Sequence, residues 1–292
     1  MADTFSVVIV TLGRPEKLAR GIGSLIACNP APDEVIVVDG DAEQSARPVT
    51  EQFAASSPLP IRYVTSAPGI TVQRNVGLGL TGGTIVAFLD DDARVADDAF
   101  ARLAEAYADP GVIGATGRVI EPTDHRVGAV GSRARRLLSQ NRDGSFNSFG
   151  YPRRYAQDHT SFDVEFLPGA FMTARREHAI AVGFDEHLTG YALAEDEDFS
   201  CRLSHRGRLR YHAPLTVWHD SEGFSNRNNR NFNRNLVVNR AYLFRKNFPQ
   251  PIRARIGFWT IVAMLVAHRL INRDWHGARG LLDGTVAVLR RR

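Results

Sequence analysis

The sequence predicts an α/β protein: a mostly parallel, Rossmann-like sheet with helices on both faces, continued by a helical C-terminal extension. Three observations predict it. Short β-branched runs recur through the first 120 residues with helix-period segments between them. The runs are continuously apolar rather than alternating, as strands covered on both faces are. Acidic residues stand where the runs end, at the edge where parallel sheets bind ligands.

The first run is Phe5 to Thr11, followed by a helical pattern from Pro15 to Ala27 with proline at a first helical position. Glu34 to Asp39, Ile61 to Thr65 and Ile85 to Leu89 read as three further buried strands, and a helix begins near Gly69. The rhythm is lost from Glu121 to Asp163, where Arg133, Arg135, Arg136, Phe146, Phe149, Tyr151 and Tyr155 are scattered without period, so a long irregular insertion is expected. Order returns from Asp163 to Pro168, then a helix start near Arg176, a helix from about Asp196 to Arg206, and short strands at Leu209 to Tyr211 and Thr216 to His219. Two or three helices from about Arg234 close the chain. The expected division is 1–220, with halves at about 1–120 and about 121–220, and a basic helical extension over 221–292.

The 292 residues carry a formal charge of only +4, too mild for a dedicated nucleic-acid binder. The charge is unevenly spread: from Glu222 onward 14 basic residues face three acids, so the tail is +11 and the body −7. Such a split points to an anionic partner for the tail. Cys28 and Cys201 are far apart with no metal-ligand spacing, which fits a reducing compartment. The strand-like run at Phe5 leaves no room ahead of it for a signal peptide, so a cytoplasmic location is expected. The longest apolar stretch, Ile256 to Ala267, covers about 18 Å as helix against a hydrocarbon core of about 30 Å and is not expected to span a bilayer alone.

Asp90, Asp91 and Asp92 place three carboxylates at the mouth of a buried strand. Like charges so close together call for a cation, and alternation along an extended chain aims Asp90 and Asp92 the same way. A solvated turn or helix cap is the plainer reading of the same residues. Thr11, Gly13 and Arg14 end the first strand, Asp39 ends the second, and Arg74 lies in a helix that starts at Gly69. Together with a cation site they describe a nucleoside-diphosphate pocket. Further on, Glu195 to Asp198 open a helix, where carboxylates are expected as caps, and Asp198 with Arg202 reads as an i,i+4 ion pair. Glu195 and Asp196 follow an apolar glycine-containing loop, Gly190 to Ala194, that would hold them partly desolvated, as a general base requires. His219 ends a strand and is either a ligand or a structural histidine.

In order from about residue 5 to 220, these segments resemble the family-2 inverting glycosyltransferases of GT-A fold. The resemblance is carried by Thr11-x-x-Arg14-Pro15, Val-Ile-Val-Val-Asp39, Arg74-Asn75-x-Gly77, Phe88-Leu-Asp90-Asp-Asp92, Leu167-Pro-Gly169, Gly183-Phe-Asp185-Glu, Glu195-Asp196-x-Asp198 and Val217-x-His219. It implies a nucleoside-diphosphate sugar donor, a glycan or lipid-linked acceptor, and Mn²⁺ or Mg²⁺. Thr11, Arg14, Asp39, Arg74, Asp90 and Asp91 would contact the nucleotide sugar, with Arg74 near the diphosphate. Asp92, with Asp90 and His219, would hold the metal, and Asp196 would be the catalytic base with Glu195 beside it. This chain has Asp39-Gly40-Asp41 where the family often has a Gly-Ser pair, so Asp39, Asp41 or both would read the base. Gln73 replaces a usual small residue.

Three other readings compete. A nucleotidyltransferase of the same fold would want a lysine-bearing phosphate loop, whereas Lys17 falls within the first helix. A non-catalytic nucleotide-sugar binder would have no use for the full carboxylate set. Nucleic-acid binding by the Asn226–Asn235 run lacks stacking aromatics other than Phe232. The helix expected from about Arg253 to Leu270 either packs on a core or rests on an anionic membrane surface, helped by Arg290 to Arg292.

Overall fold

The computed structural model describes residues 3–121, 144–153, 159–188, 193–220 and 229–290. The chain divides into two compact units, Met1–Pro122 with Ala156–Ser221, and Thr123–Tyr155 with Glu222–Arg292.

In the first unit the chain runs β1 (Phe5–Thr11), α1 (Pro15–Ile26), β2 (Glu34–Asp39), α2 (Arg47–Ser56), β3 (Ile61–Thr65), α3 (Ile70–Leu80), β4 (Ile85–Asp90), β5 (Ala93–Val95) and α4 (Ala99–Tyr107). It continues through β6 (Val112–Ile120), β7 (Phe162–Val164), β8 (Phe171–Arg175), α5 (Arg176–Val182), α6 (Glu195–Ser204) and β9 (Arg208–His219). The strands form one nine-stranded sheet in the order β3-β2-β1-β4-β8-β6-β9-β5, with β7 beside β9. The parallel expectation describes the first four strands, where β1 pairs with β2 and β4, and β2 with β3. The second half is mixed, because β8 starts at the edge where β4 ends, with the Asp90 N–H donating to the Ala170 carbonyl, and so runs back against it.

Alternation sends successive strand residues to opposite faces. Val7, Ile9, Val35, Val37 and Ala87 meet Leu18, Ile22 and Leu25 of α1 and Phe100 and Leu103 of α4 in one core. On the other face Phe88 packs edge-on against Phe184 and against Phe199 of α6. There α3 lies close on the sheet at Gly77, where a side chain would collide with Val8 and Val38. Gln73 fastens the same helix to two strand ends, donating through Nε2 to the carbonyls of Thr11 (2.8 Å) and Val38 (2.9 Å). The two short strands expected near 209–219 are a single strand, β9. Its register against β6 jumps from Tyr211 to Thr216 opposite Gly117, the irregularity around Pro214 that breaks the apolar pattern.

The second unit holds α7 (Asn229–Asn247), α8 (Ile252–Ile271) and α9 (Trp275–Arg290). Gly280 and Gly284 of α9 face the carbonyls of Arg230 and Arg234 of α7 with no room for a side chain. Phe244 stacks on Phe258 at 5.2 Å, and Tyr151 packs on Phe258 at 6.1 Å. Part of the irregular stretch expected within the first 220 residues therefore groups with the C-terminal helices, because its aromatics Phe149 and Tyr151 join their core. Arg133, Arg135, Arg136, Tyr155, Gly190, the whole Glu222–Asn228 approach, Arg291 and Arg292 lie outside the described residues.

Candidate active site

Register builds the site. β1 and β2 align Thr11 with Asp39, and β1 and β4 align Val10 with Asp90, so three strand ends share one carboxyl edge. The chain steps from β1 outward to β2 and β3 and returns to β4 on the other side of β1, which leaves a crevice between the loops after β1 and β4. Those loops carry Arg14 and Asp91-Asp92. Thr11 Oγ1 donates to Asp91 (2.8 Å), and Arg14 pairs with both Asp91 (2.8 Å) and Asp92 (3.1 Å). Lys17, one turn into α1, reaches Asp92 at 3.6 Å.

β5 brings the distant histidine in. Ala93 pairs with His219 across β5 and β9, and the Asp220 N–H donates to the Asp92 carbonyl. His219 Nε2 then lies 3.2 Å from Asp92, and its Nδ1 3.4 Å from Glu121. One donor atom from each of Asp90, Asp92 and His219 falls within 4.8 Å of the others. Two carboxylates and an imidazole suit Mn²⁺, or Mg²⁺ with water completing the shell. Arg14, Lys17 and His219 pair with the Asp91 and Asp92 carboxylates at this edge. Burial works against the Asp92 charge, yet His219, Arg14 and Lys17 together hold its carboxyl below the ordinary range. Burial likewise disfavours the His219 cation, but hydrogen bonds to Asp92 and Glu121 push it up to about 10. Asp91 is almost fully buried, and desolvation carries it to about 7 despite Arg14 and Thr11.

Arg74 is the buried hub. Only 1% exposed, its guanidinium donates to Asp90 (2.9 Å), to Glu195 (3.1 Å) and to the Gly169 carbonyl (3.1 Å), and lies 5.3 Å from the Phe184 ring centroid. Expected beside the diphosphate, it is instead enclosed and already bonded on three sides. Gly169 returns the connection, its N–H donating to Asp196 Oδ2 (3.1 Å). The Glu195 carboxyl is pushed up to about 8, by burial first and by Asp196 second, with Arg74 opposing. Just before it, Ala194 sits in the left-handed region at φ 72°, a conformation that costs a non-glycine residue about 1–2 kcal/mol and turns the acidic pair inward. Asp198 and Arg202 form the expected pair at 2.6 Å.

Asp39 has no exposed surface. Its oxygens accept from the Asp41 N–H (2.8 Å), the Ala46 N–H (3.3 Å) and the Tyr63 hydroxyl (2.9 Å). Asp41 lies nearer solvent, and the Ser45 hydroxyl (2.6 Å) with the Glu43 amide lowers its carboxyl. Sequence reasoning missed Lys17, Tyr63, Glu121 and the Gly169 backbone. For Lys17 a signal was present, since it stands one helical turn from Arg14; the other three depend on tertiary placement alone.

A Rossmann-like sheet thus carries a carboxylate–imidazole cluster at its carboxyl edge, joined through Arg74 to a second acidic pair at a helix start. The chain belongs to glycosyl transferase family 2, whose model matches residues 6–182. Succinoglycan biosynthesis protein ExoM of Rhizobium meliloti (strain 1021) is 39% identical over 116 residues, 38% of this chain, and the match spans 37% of that relative's length. Among solved structures, the mannosyltransferase PcManGT from Pyrobaculum calidifontis, in complex with GDP-Man and Mn²⁺, has a TM-score of 0.63 at 16% identity over 99% of this chain and 88% of that one. GalNAc-T7 with UDP, GalNAc and Mn²⁺ has a TM-score of 0.60 at 17% identity over 81% of this chain and 48% of that one. These two likenesses establish the fold.

Proposed function

We propose that the protein is a metal-dependent, inverting glycosyltransferase that moves a sugar from a nucleoside diphosphate to a hydroxyl of a glycan or lipid-linked acceptor. The observation that carries this reading is the convergence of Asp90, Asp92 and His219 donor atoms within 4.8 Å at the sheet edge that also presents Thr11 and Arg14. Those three side chains would hold Mn²⁺ or Mg²⁺. When bound, such an ion offsets negative charge on a departing diphosphate.

The chain's own residues supply the remainder. Arg14, half-exposed at the crevice, is free to exchange its aspartate partners for donor phosphate. Asp41 reads the base, because Asp39 has no exposed surface, whereas Asp41, although it accepts from Ser45 and the Glu43 amide, lies nearer solvent; Asp39 shapes the β2–α2 loop. Asp196 takes the proton of the acceptor hydroxyl as its oxygen attacks the anomeric carbon from the side opposite the diphosphate, which inverts the configuration. The Gly169 amide orients its carboxylate. Glu195 and Arg74 set the distance between the base and the metal-binding edge, and Arg74 acts on the donor only through Asp90. Lys17 points to Asp92 rather than into a phosphate loop, which weighs against nucleotidyl transfer. Both cysteines are buried and neither is in a disulfide, in keeping with a reducing cytoplasmic setting.

Incubation with a panel of nucleoside-diphosphate sugars and simple glycan acceptors, with and without Mn²⁺, tests the proposal. The expected result is Mn²⁺-dependent nucleotide release with an anomeric configuration opposite to the donor's by NMR. Retention of configuration, or equal release in EDTA, would contradict it.

A further inference from the structure

Nine of the thirteen large apolar side chains exposed among the described residues lie between Ile252 and Leu289. In α8 they form a face. Ile252, Ile256, Met264, Leu270 and Ile271 are exposed, with Thr260, Ala263 and Ala267 between them, at spacings that return every three to four residues to one side of the helix. The opposite side, Ala254, Phe258, Ile261 and Val262, is buried, and three of these four belong to the core shared with α7 and α9. A water-facing helix side normally carries the charge; here the outward side has no charged residue between Arg255 and His268, and α8 contains no acid at all. α9 repeats the pattern with Trp275, Leu282, Val286 and Leu289, of which Trp275 is 66% exposed.

Basic residues frame these faces. Arg253 and Arg255 stand in the first turn of α8, Arg269 and Arg273 at its end, and Arg279 and Arg290 along α9. The two acids described in this unit are already taken: Asp274 by Arg269 (2.8 Å) and Asn229, and Asp283 by Arg230 (2.7 Å). Arg253, Arg255, Arg273 and Arg279 have no acidic partner among the described residues.

We infer that α8 and α9 form a docking surface for an anionic lipid bilayer, with the apolar faces buried at the headgroup boundary and the arginines on lipid phosphates. Charge selects this occupant. A second copy of this chain would bring the same arginines against each other, whereas an anionic leaflet neutralises them, at roughly a fivefold gain in binding per arginine. Length alone would let α8 cross a bilayer, since its 20 residues reach about 30 Å. Packing favours the flat arrangement, because the buried side of α8 is held by α7, whose Asn- and Arg-rich sequence does not enter hydrocarbon. This surface stands independently of the reaction assigned to the first unit.

Sedimentation of the full chain with phosphatidylcholine vesicles, with and without phosphatidylglycerol, tests the inference. The chain is expected to pellet only with the anionic vesicles, to be released progressively by salt, and to shift its fluorescence to the blue; Trp275→Phe removes that shift. Ile256→Gln with Ile271→Gln weakens binding at least about tenfold. Arg253→Gln with Arg279→Gln, surface changes that leave the core intact, weakens it about twentyfold. Failure to pellet with anionic vesicles, binding indifferent to these pairs of substitutions, or resistance to both salt and alkaline extraction would overturn the inference. So would a dimer in solution that the Ile256/Ile271 pair dissociates.

Discussion

The two compact units handle polarity in opposite ways. In the first, polar groups are buried and bonded: Arg74 is enclosed by Asp90, Glu195 and Gly169, and Asp39 by Tyr63 and two amides. In the second, apolar groups are exposed and the charges lie around them. Buried charge is costly unless every partner is in place, so it persists where a rigid polar ligand must be met in one geometry. Exposed apolar surface is costly in water, so it persists where something other than water covers it. The contrast separates a unit with an enclosed polar site from one with an uncovered apolar surface.

Substitutions can break that contrast or sharpen it. Asp196→Asn removes the proposed proton acceptor yet can still accept the Gly169 N–H, so kcat is expected to fall about 10³-fold with donor affinity unchanged; single-turnover rates and donor titration together check this. Arg74→Met leaves the Asp90 carboxylate without its buried cation and the Glu195 and Gly169 oxygens without their donor, and is expected to cost about 3–5 kcal/mol in denaturant unfolding. Glu195 sharpens the same point through pH. Its folded carboxyl keeps its proton to about 8, well above the ordinary glutamate value, so the folded chain binds the extra proton in that window. Stability therefore falls as pH rises from about 4 toward 8, by up to ~1.4 kcal/mol per unit, and Glu195→Gln flattens the dependence. At the small end, Ile256→Gln in the second unit is expected to change stability by less than about 0.5 kcal/mol, because the side chain is already in water. A loss of several kcal/mol by thermal melting would mean that Ile256 is a core residue and would erase the contrast.

Much of the first unit was legible from local pattern. The strands that end in Thr11, Asp39 and Asp90 are continuous apolar runs, and α1 announces itself by Pro15 and the Leu18, Ile22, Leu25 spacing. The elements that were not legible lack such a pattern. β6 is interrupted by Gly114 and Gly117, and α2 buries only Thr50 while leaning on β3 through half-buried side chains. In the site, the carboxylates could be found as residue types at strand ends, but their partners could not. Arg74 meets Glu195 across 121 positions and Gly169 across 95, separations that only the completed fold closes. That closure is why an arginine expected to face the diphosphate is found bonded to Asp90, Glu195 and the Gly169 carbonyl. The second unit shows the same limit in reverse. Its arginine-ended apolar helix was visible, while the side of it that meets water is decided by packing against α7 and α9.

In the proposed function, Asp90, Asp92 and His219 form a metal site on which donor binding depends. Isothermal titration of nucleoside diphosphates tests this most directly, using the wild-type chain and Asp92→Ala in Mn²⁺ and in EDTA. Binding by the wild type in Mn²⁺ alone, lost in EDTA and in Asp92→Ala, is the predicted result. Equal binding with and without metal, or undiminished Mn²⁺-dependent binding by Asp92→Ala, would contradict the claim.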